Sequence, residues 1–120
     1  MTARAGDGVP RGGVRRVPGP AAPVAAALAE AGWHVALVPP AADDAALWDG
    51  LAAALDLPGW FGRNLDALEE VLGDLVSPTA VVLGAWWTYA TARPERWSML
   101  LDLLGDRAAE DPPLLVVLTD

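Results

Sequence analysis

Five consecutive apolar residues near the end of the chain, Leu114 to Leu118, place the strongest constraint on its fold. An apolar strand without alternation is typical of a sheet covered on both faces, as in parallel sheets flanked by helices. Residues 33–38 and 80–83 form two more runs of this kind. Because helical patterns separate the three runs, the sequence predicts an α/β fold with a small three-stranded parallel sheet packed against helices.

The helical segments are marked by the spacing of their apolar residues and by residues suited to helix ends. Helices are predicted at about residues 24–31, 43–55, 65–76, 86–92 and 94–109. Asp43 or Asp44 suits the N-terminus of the second helix, and Asn64 suits the N-cap of the third. Gly32 suits the position just after the first helix, where a left-handed backbone is common.

The first part of the chain differs from the rest in composition. Residues 1–22 are rich in Gly, Pro and Arg and show no apolar periodicity. Such a segment has little apolar surface to bury, so we expect residues 1–22 to be a disordered tail and residues 23–120 to form one domain. Arg15-Arg16 ahead of an alanine-rich stretch leaves an export signal open as an alternative. Prolines interrupt that stretch, so the expected location is the cytoplasm.

The charge of the chain is unevenly distributed. The formal net charge of the 120 residues is −8, and residues 1–16 carry +3, which leaves −11 for residues 17–120. A body of this charge repels nucleic acids and membrane surfaces and attracts basic partners. Solubility alone is an alternative explanation for the total charge.

The sequence offers little material for catalysis or metal binding. There is no cysteine, and His34 is the sole histidine, so an ordinary zinc site cannot be assembled. His34 lies in a predicted strand, where a structural role is expected. Carboxylates are abundant, but acids on a helix face are commonly solvated. We therefore expect no enzymatic activity, no metal and no cofactor.

The predicted helix at residues 65–76 has an acidic polar face. Asp66 and Glu70 are four residues apart, with Glu69 beside them. The apolar face of the same helix is formed by Leu65, Leu68, Leu72 and Leu75. Like charges at this spacing weaken an isolated helix. The pattern is therefore typical of a surface that meets a strongly positive partner.

A short aromatic loop precedes this helix. Trp60 lies between Gly and Pro residues, and from position alone it suits either a lid on the core or a contact with a partner. Phe61 is expected to point the other way and fill the core, and Gly62 to supply a backbone geometry that a larger residue could not adopt. The other tryptophans lie in periodic apolar segments and are expected in the core: Trp33, Trp48, Trp86, Trp87 and Trp97.

The loop and the start of the helix together resemble the barstar family motif. The matching residues are Leu57-Pro58-x-Trp60-Phe61-Gly62-x-Asn64-Leu65-Asp66-Ala67-Leu68. The similarity covers about residues 33–119 and implies a barstar-like domain. Members of this family are intracellular protein inhibitors of secreted microbial ribonucleases. The structural part of the motif would be Pro58, Phe61, Gly62, Asn64, Leu65 and Leu68.

The resemblance implies an immunity protein that is monomeric when free and blocks a basic ribonuclease in a one-to-one complex. In the family, the helix and the loop before it plug the active site of the nuclease. By motif position, the partner-binding residues would be Trp60, Asp66, Glu69, Glu70 and Asp106. Asp106 is placed by counting back from the final strand.

Three positions depart from the family pattern. Glu69 and Leu75 occupy positions that are tryptophan in the best-known member, and Glu70 replaces an aspartate. These changes keep the acidic charge but put the identity of the target in doubt. They leave open an alternative, in which the chain is a barstar-fold interaction or regulatory domain that binds a non-nuclease partner.

Overall fold

A computed structural model describes residues 11–120 of the chain. Its strands are β1 (Gly13–Arg16), β2 (His34–Val38), β3 (Thr79–Leu83) and β4 (Leu114–Leu118). They form one sheet in the order β1-β4-β3-β2, and every neighbouring pair is parallel. The predicted α/β class with a parallel sheet is confirmed, but the sheet has four strands where three were predicted.

The additional strand, β1, comes from the segment that the sequence predicts to be disordered. It pairs with β4 from Gly13 opposite Leu115 to Arg16 opposite Leu118. The prediction is wrong here because the β1 side chains are mostly exposed, so backbone pairing and not apolar burial places the strand. Residues 1–10 of the predicted tail lie outside the described residues.

The helices are α1 (Ala21–Glu30), α2 (Asp44–Ala54), α3 (Leu65–Gly73), α4 (Trp87–Ala92) and α5 (Pro94–Ala108). Each predicted helix is present, although α1 begins earlier and α3 ends earlier than expected. Asp43 is the N-cap of α2, since its Oδ1 accepts a hydrogen bond of 2.8 Å from the Ala46 N–H. Gly32 follows α1 with a φ of 100°, as its predicted position requires.

Helices cover both faces of the sheet. On one face, α2, α3 and α5 enclose the larger core, to which β3 and β4 contribute Val81, Leu83, Leu114, Val116 and Leu118. On the other face, α1 packs against Ala80, Val82, Leu115 and Val117. Successive residues of β3 and β4 therefore serve two different cores, which explains why their sequences are apolar without alternation.

Four of the five tryptophans expected in the core are partly buried against it: Trp33, Trp48, Trp86 and Trp97. The prediction is wrong for Trp87, which is 55% exposed, because the short helix α4 buries Tyr89 instead. The rings of Trp86 and Trp97 stack with their centroids 5.5 Å apart. The Arg16 guanidinium lies 5.0 Å from the Trp86 ring centroid, so a cation–π contact joins the end of β1 to the β3–α4 connection.

Candidate functional site

The loop between α2 and α3 is held in place at both ends. The Phe61 N–H donates a 3.0 Å hydrogen bond to the Pro58 carbonyl, which closes a turn. Arg63 adopts a left-handed conformation with a φ of 54°, and its Nη1 lies 2.5 Å from Asp49 Oδ1 on α2. The loop is therefore anchored to the preceding helix, although the Arg63–Asp49 pair is largely exposed and contributes little energy.

Gly62 is favoured by close packing and not by the unusual backbone geometry that was predicted. The left-handed backbone conformation of this loop lies at Arg63, one residue later. A Cβ at Gly62 would lie 3.2 Å from the Ala67 Cβ and 3.3 Å from Asn64 Nδ2. Glycine at this position therefore allows the loop to approach the first turn of α3 closely.

The two adjacent aromatic side chains of the loop point in opposite directions. Phe61 is 5% exposed, and its ring centroid lies 6.1 Å from that of Trp48 in α2. Trp60 is 78% exposed. The predicted orientation is confirmed, so the loop presents an indole ring to solvent while its neighbour secures the loop to the core.

Helix α3 begins at the predicted residue. Asn64 Oδ1 accepts a 2.8 Å hydrogen bond from the Ala67 N–H, and Asn64 Nδ2 donates to the Gly62 carbonyl at 3.1 Å. Leu68 and Leu72 are buried under the helix. This packing fixes which face of α3 remains outside, because residues three and four apart share a face.

The acids predicted to bind a partner are all exposed, and they lie on two helices that pack together. Asp66, Glu69 and Glu70 belong to α3, and Asp106 belongs to α5. Glu69 and Asp106 line a common cavity of about 390 Å³ between the C-terminal halves of the two helices, which we call the α3–α5 cavity. Neither Glu70 nor Trp60 lines it.

Asp66 lies beside a different and larger groove. This groove of about 540 Å³ is bounded by α2, the start of α3 and the N-terminal half of α5. The Tyr89 hydroxyl donates a 2.5 Å hydrogen bond to Asp44 Oδ1, and Arg96 pairs with the same carboxylate. Burial raises the pKa of the Tyr89 hydroxyl, and the nearby Arg93 charge partly opposes this shift. These contacts hold together residues of α2, α4 and α5 that line the groove together with Asp66.

Arg107, which no sequence motif marks as a functional residue, also lines the α3–α5 cavity. It is 6% exposed, and its Nε donates a 2.8 Å hydrogen bond to the Leu72 carbonyl near the end of α3. Its Nη1 is buried and has no hydrogen-bond partner among residues 11–120. The signal in the sequence is its position, because Arg107 continues the buried stripe formed by Leu100 and Leu104.

Two further properties concern the described residues as a whole. Between residues 11 and 120, no group of three or more His, Cys, Asp or Glu side chains is arranged to hold a metal ion. No helix in this part of the chain has the length and apolar character needed to cross a membrane. His34 is exposed on β2, which is an edge strand of the sheet.

Comparison with known proteins agrees with the motif in the loop and α3. No curated protein sequence matched the chain. The protein family described as Barstar (barnase inhibitor) matches residues 35–119, which run from within β2 to just beyond β4. Strand β1 and helix α1 precede the matched region. Since the match covers well over half of the chain, this protein belongs to the barstar family.

Proposed function

We propose that this protein inhibits a basic microbial ribonuclease by covering its active site with the acidic face of α3, Asp106 of α5 and the exposed Trp60. The observation that carries the proposal is the meeting of acids from two helices, since Glu69 and Asp106 wall one cavity. This arrangement lies within a domain of a family that binds ribonucleases.

The electrostatics of α3 support this proposal. Asp66, Glu69 and Glu70 are exposed, and none of them forms a salt bridge with another described residue. Their spacing places them on adjoining parts of one helix face. Arginine, lysine or histidine side chains of a ribonuclease can therefore approach these carboxylates without first breaking ion pairs in the inhibitor. The net charge of −8 would attract such a partner at long range.

Trp60 supplies an apolar contact beside these charges. Its loop is held mainly by the buried Phe61, since the exposed Arg63–Asp49 pair contributes little. A side chain on a loop that is already ordered loses less conformational entropy on binding than one on a mobile loop. Trp60 would therefore act as a preorganised anchor that packs on the rim of the ribonuclease active site.

The departures from the family pattern affect the character of the surface. Leu75 is partly buried against the larger core, so it offers little contact area to a partner. Glu69 adds a carboxylate, and Glu70 reaches one methylene further than an aspartate would and loses more rotamer freedom on binding. The resulting surface relies more on charge and less on aromatic contact, so a strongly cationic ribonuclease is the expected target.

The proposal is tested by titrating the protein with purified barnase and other basic ribonucleases in calorimetry and in an RNA-cleavage assay. We expect one-to-one binding with loss of cleavage. The double variant Asp66→Asn/Glu70→Gln should keep its circular dichroism spectrum and lose about 2–5 kcal/mol of binding free energy. The matched control Glu95→Gln/Asp102→Asn removes the same charge from exposed positions on α5 that line neither cavity.

The control variant shows whether a loss of affinity comes from lost contacts of Asp66 and Glu70 or only from the reduced net charge. An equal loss of affinity in both double variants would contradict the assignment of Asp66 and Glu70 as contact residues. A folded wild-type protein that binds none of the ribonucleases would contradict the inhibitor proposal and favour the alternative, an interaction domain for a non-nuclease partner.

A further inference from the structure

The groove beside Asp66 is lined mainly by apolar side chains. It is the space of about 540 Å³ bounded by α2, the start of α3 and the N-terminal half of α5, and we call it the α2–α5 groove. Its apolar lining comes from all three helices: Leu47, Trp48, Leu65, Met99 and Leu100. Ligand sites in proteins commonly have such a lining and a volume of about 300–1,000 Å³. The groove is therefore large enough to hold an aromatic side chain and part of a neighbouring residue.

Met99 and Trp48 give the groove an apolar surface that a partner can reach. Met99 is 55% exposed, although the next residue on α5, Leu100, is buried. Trp48 on α2 is only partly buried, and its ring already packs against Phe61. Thioethers and indoles both make favourable contacts with a further aromatic ring. These two side chains therefore favour an aromatic occupant.

The charged groups that line the groove differ in whether they have partners within the domain. Arg63 pairs with Asp49, and Arg96 pairs with Asp44. Asp66 is exposed and forms no salt bridge with another residue between 11 and 120. An anionic occupant would compete with carboxylates that the arginines already bind, and Asp66 would repel it. A cation would instead supply Asp66 with a partner.

We propose that the α2–α5 groove receives an aromatic side chain of the basic partner protein that lies next to a lysine or arginine. The ring would contact Trp48 and Met99, and the cation would pair with Asp66. The inference rests on the proposed function in taking this partner to be the ribonuclease, because Asp66 belongs to both the groove and the proposed inhibitory surface. The aromatic contact extends that surface from α3 onto α2 and the N-terminal half of α5.

A second copy of this chain is a less suitable occupant. Trp60 is exposed and Arg63 follows three residues later, so a second copy would also offer a ring near a cation. However, Arg63 is already paired with Asp49. Two copies that each carry a net charge of −8 also repel each other, whereas a basic protein is attracted. The charges therefore favour a basic partner over self-association.

The groove can be probed without a protein partner. The chain has two methionines, Met1 and Met99, so methyl-¹³C-methionine labelling of the full-length protein yields a groove signal that Met99→Leu assigns. The probe is phenethylamine, which carries a phenyl ring two carbons from an ammonium group. We expect phenethylamine to shift the Met99 methyl signal to saturation, and to do so at lower concentration than phenethyl alcohol, phenylacetate or ethylamine.

The four probes separate the alternatives. Absence of a saturable shift up to the solubility limit of phenethylamine would overturn the proposal. A stronger response to phenylacetate would overturn it in favour of an anion site at the arginines. An equal response to ethylamine would show that charge alone is recognised, and an equal response to phenethyl alcohol would show that Asp66 has no part; either result would overturn the paired recognition.

Two acids of the same region provide a matched pair of variants for this titration. Asp66→Asn should weaken the binding of phenethylamine about two- to fivefold, because it removes the partner of the ammonium group. Asp74→Asn should leave it unchanged, since Asp74 is an exposed acid at the end of α3 that does not line the groove. Equal effects of the two substitutions would contradict a direct contact between Asp66 and the cation.

A second measurement connects the groove to the partner. Met99→Lys and Ser98→Lys each add one positive charge at an exposed position of α5, but Ser98 does not line the groove. With a ribonuclease that the wild type binds, Met99→Lys should weaken binding at least about tenfold more than Ser98→Lys. Equal affinity of the two variants would overturn the assignment of the groove to the interface.

The inference and the proposed function can fail separately. A phenethylamine response without binding of any ribonuclease would support the chemistry of the groove and contradict the proposed function. Inhibition of a ribonuclease that Met99→Lys leaves unchanged would support the proposed function and overturn this inference. Self-association of the wild type in sedimentation velocity that Met99→Lys abolishes would overturn it in favour of a second copy as the occupant.

Discussion

Truncation of the two adjacent aromatic residues in the α2–α3 loop should have opposite effects on stability and binding. Phe61 is 5% exposed and packs against Trp48, so nearly its whole ring leaves water on folding. About 200 Å² of aromatic surface at about 25 cal/mol per Å² corresponds to about 5 kcal/mol. The alanine methyl group retains part of this, and the cavity left behind adds to the loss. Phe61→Ala should therefore lower the free energy of unfolding by about 3–5 kcal/mol.

Trp60 gives the contrasting case. Since it is 78% exposed, about one fifth of its surface, or roughly 50 Å², is buried in the free protein. At the same coefficient, Trp60→Ala should cost about 1 kcal/mol of stability or less. If the indole packs on the ribonuclease, the same substitution should weaken binding by about 2 kcal/mol or more.

The two variants are compared by urea denaturation followed by far-ultraviolet circular dichroism, which does not depend on the removed indole. If the two variants have the same m-value, their free energies of unfolding can be compared directly. Calorimetry with the bound ribonuclease gives the second quantity. A stability loss in Trp60→Ala as large as that in Phe61→Ala would refute the orientation of the loop. An unchanged affinity of Trp60→Ala would refute its role as an anchor.

The remaining predictions concern charge, pH and the N-terminal strand. The association rate with a basic ribonuclease should fall steeply as the Debye length shrinks to about 8 Å at physiological salt, while the dissociation rate changes less; stopped-flow kinetics measure both. Tyr89 is the sole tyrosine, so absorbance at 295 nm should show its native titration above the unfolded value of 10.0. Between pH 10.0 and the raised native pKa, the unfolded chain has lost the phenol proton and the native protein keeps it, so the free energy of unfolding should fall as the pH rises through this window. Tyr89→Phe should remove this pH dependence of the stability. Deletion of residues 1–16 removes β1 and should lower the melting temperature measured by calorimetry.

Several elements could be predicted because their causes are local in the sequence. β3 and β4 are buried on both faces, and this leaves an uninterrupted apolar run that periodicity detects. The N-caps depend on a side chain and an N–H three residues later, so Asp43 and Asn64 identify the starts of α2 and α3. The opposite orientations of Trp60 and Phe61 agree with the expectation from their adjacency, although the structure places them in a turn closed by the hydrogen bond from the Phe61 N–H to the Pro58 carbonyl and not in an extended segment.

Other features depend on contacts between distant parts of the chain. β1 is specified by backbone hydrogen bonds to β4, which any sequence except proline can form, so its exposed arginines gave no apolar signal. The spacing of Arg107 from Leu100 and Leu104 predicts that it lies on the buried face of α5. Its hydrogen-bond acceptor could not be predicted, because the Leu72 carbonyl is 35 residues earlier in the chain. The α3–α5 cavity exists only because these two helices pack together, and a pattern within either helix cannot reveal it.

Strand β1 and helix α1, which precede the family match, lie apart from the proposed binding face of α3. α1 packs on the face of the sheet formed by Ala80, Val82, Leu115 and Val117, whereas α3 and α5 pack on the opposite face. β1 extends the sheet at the β4 edge, and its exposed arginines discourage further strand pairing there. Helix α1 therefore covers the sheet face remote from α3, whereas β1 extends the sheet edge and contacts α5, the helix that carries Asp106. On this arrangement, changes within α1 should act on the free energy of unfolding more than on recognition of a ribonuclease.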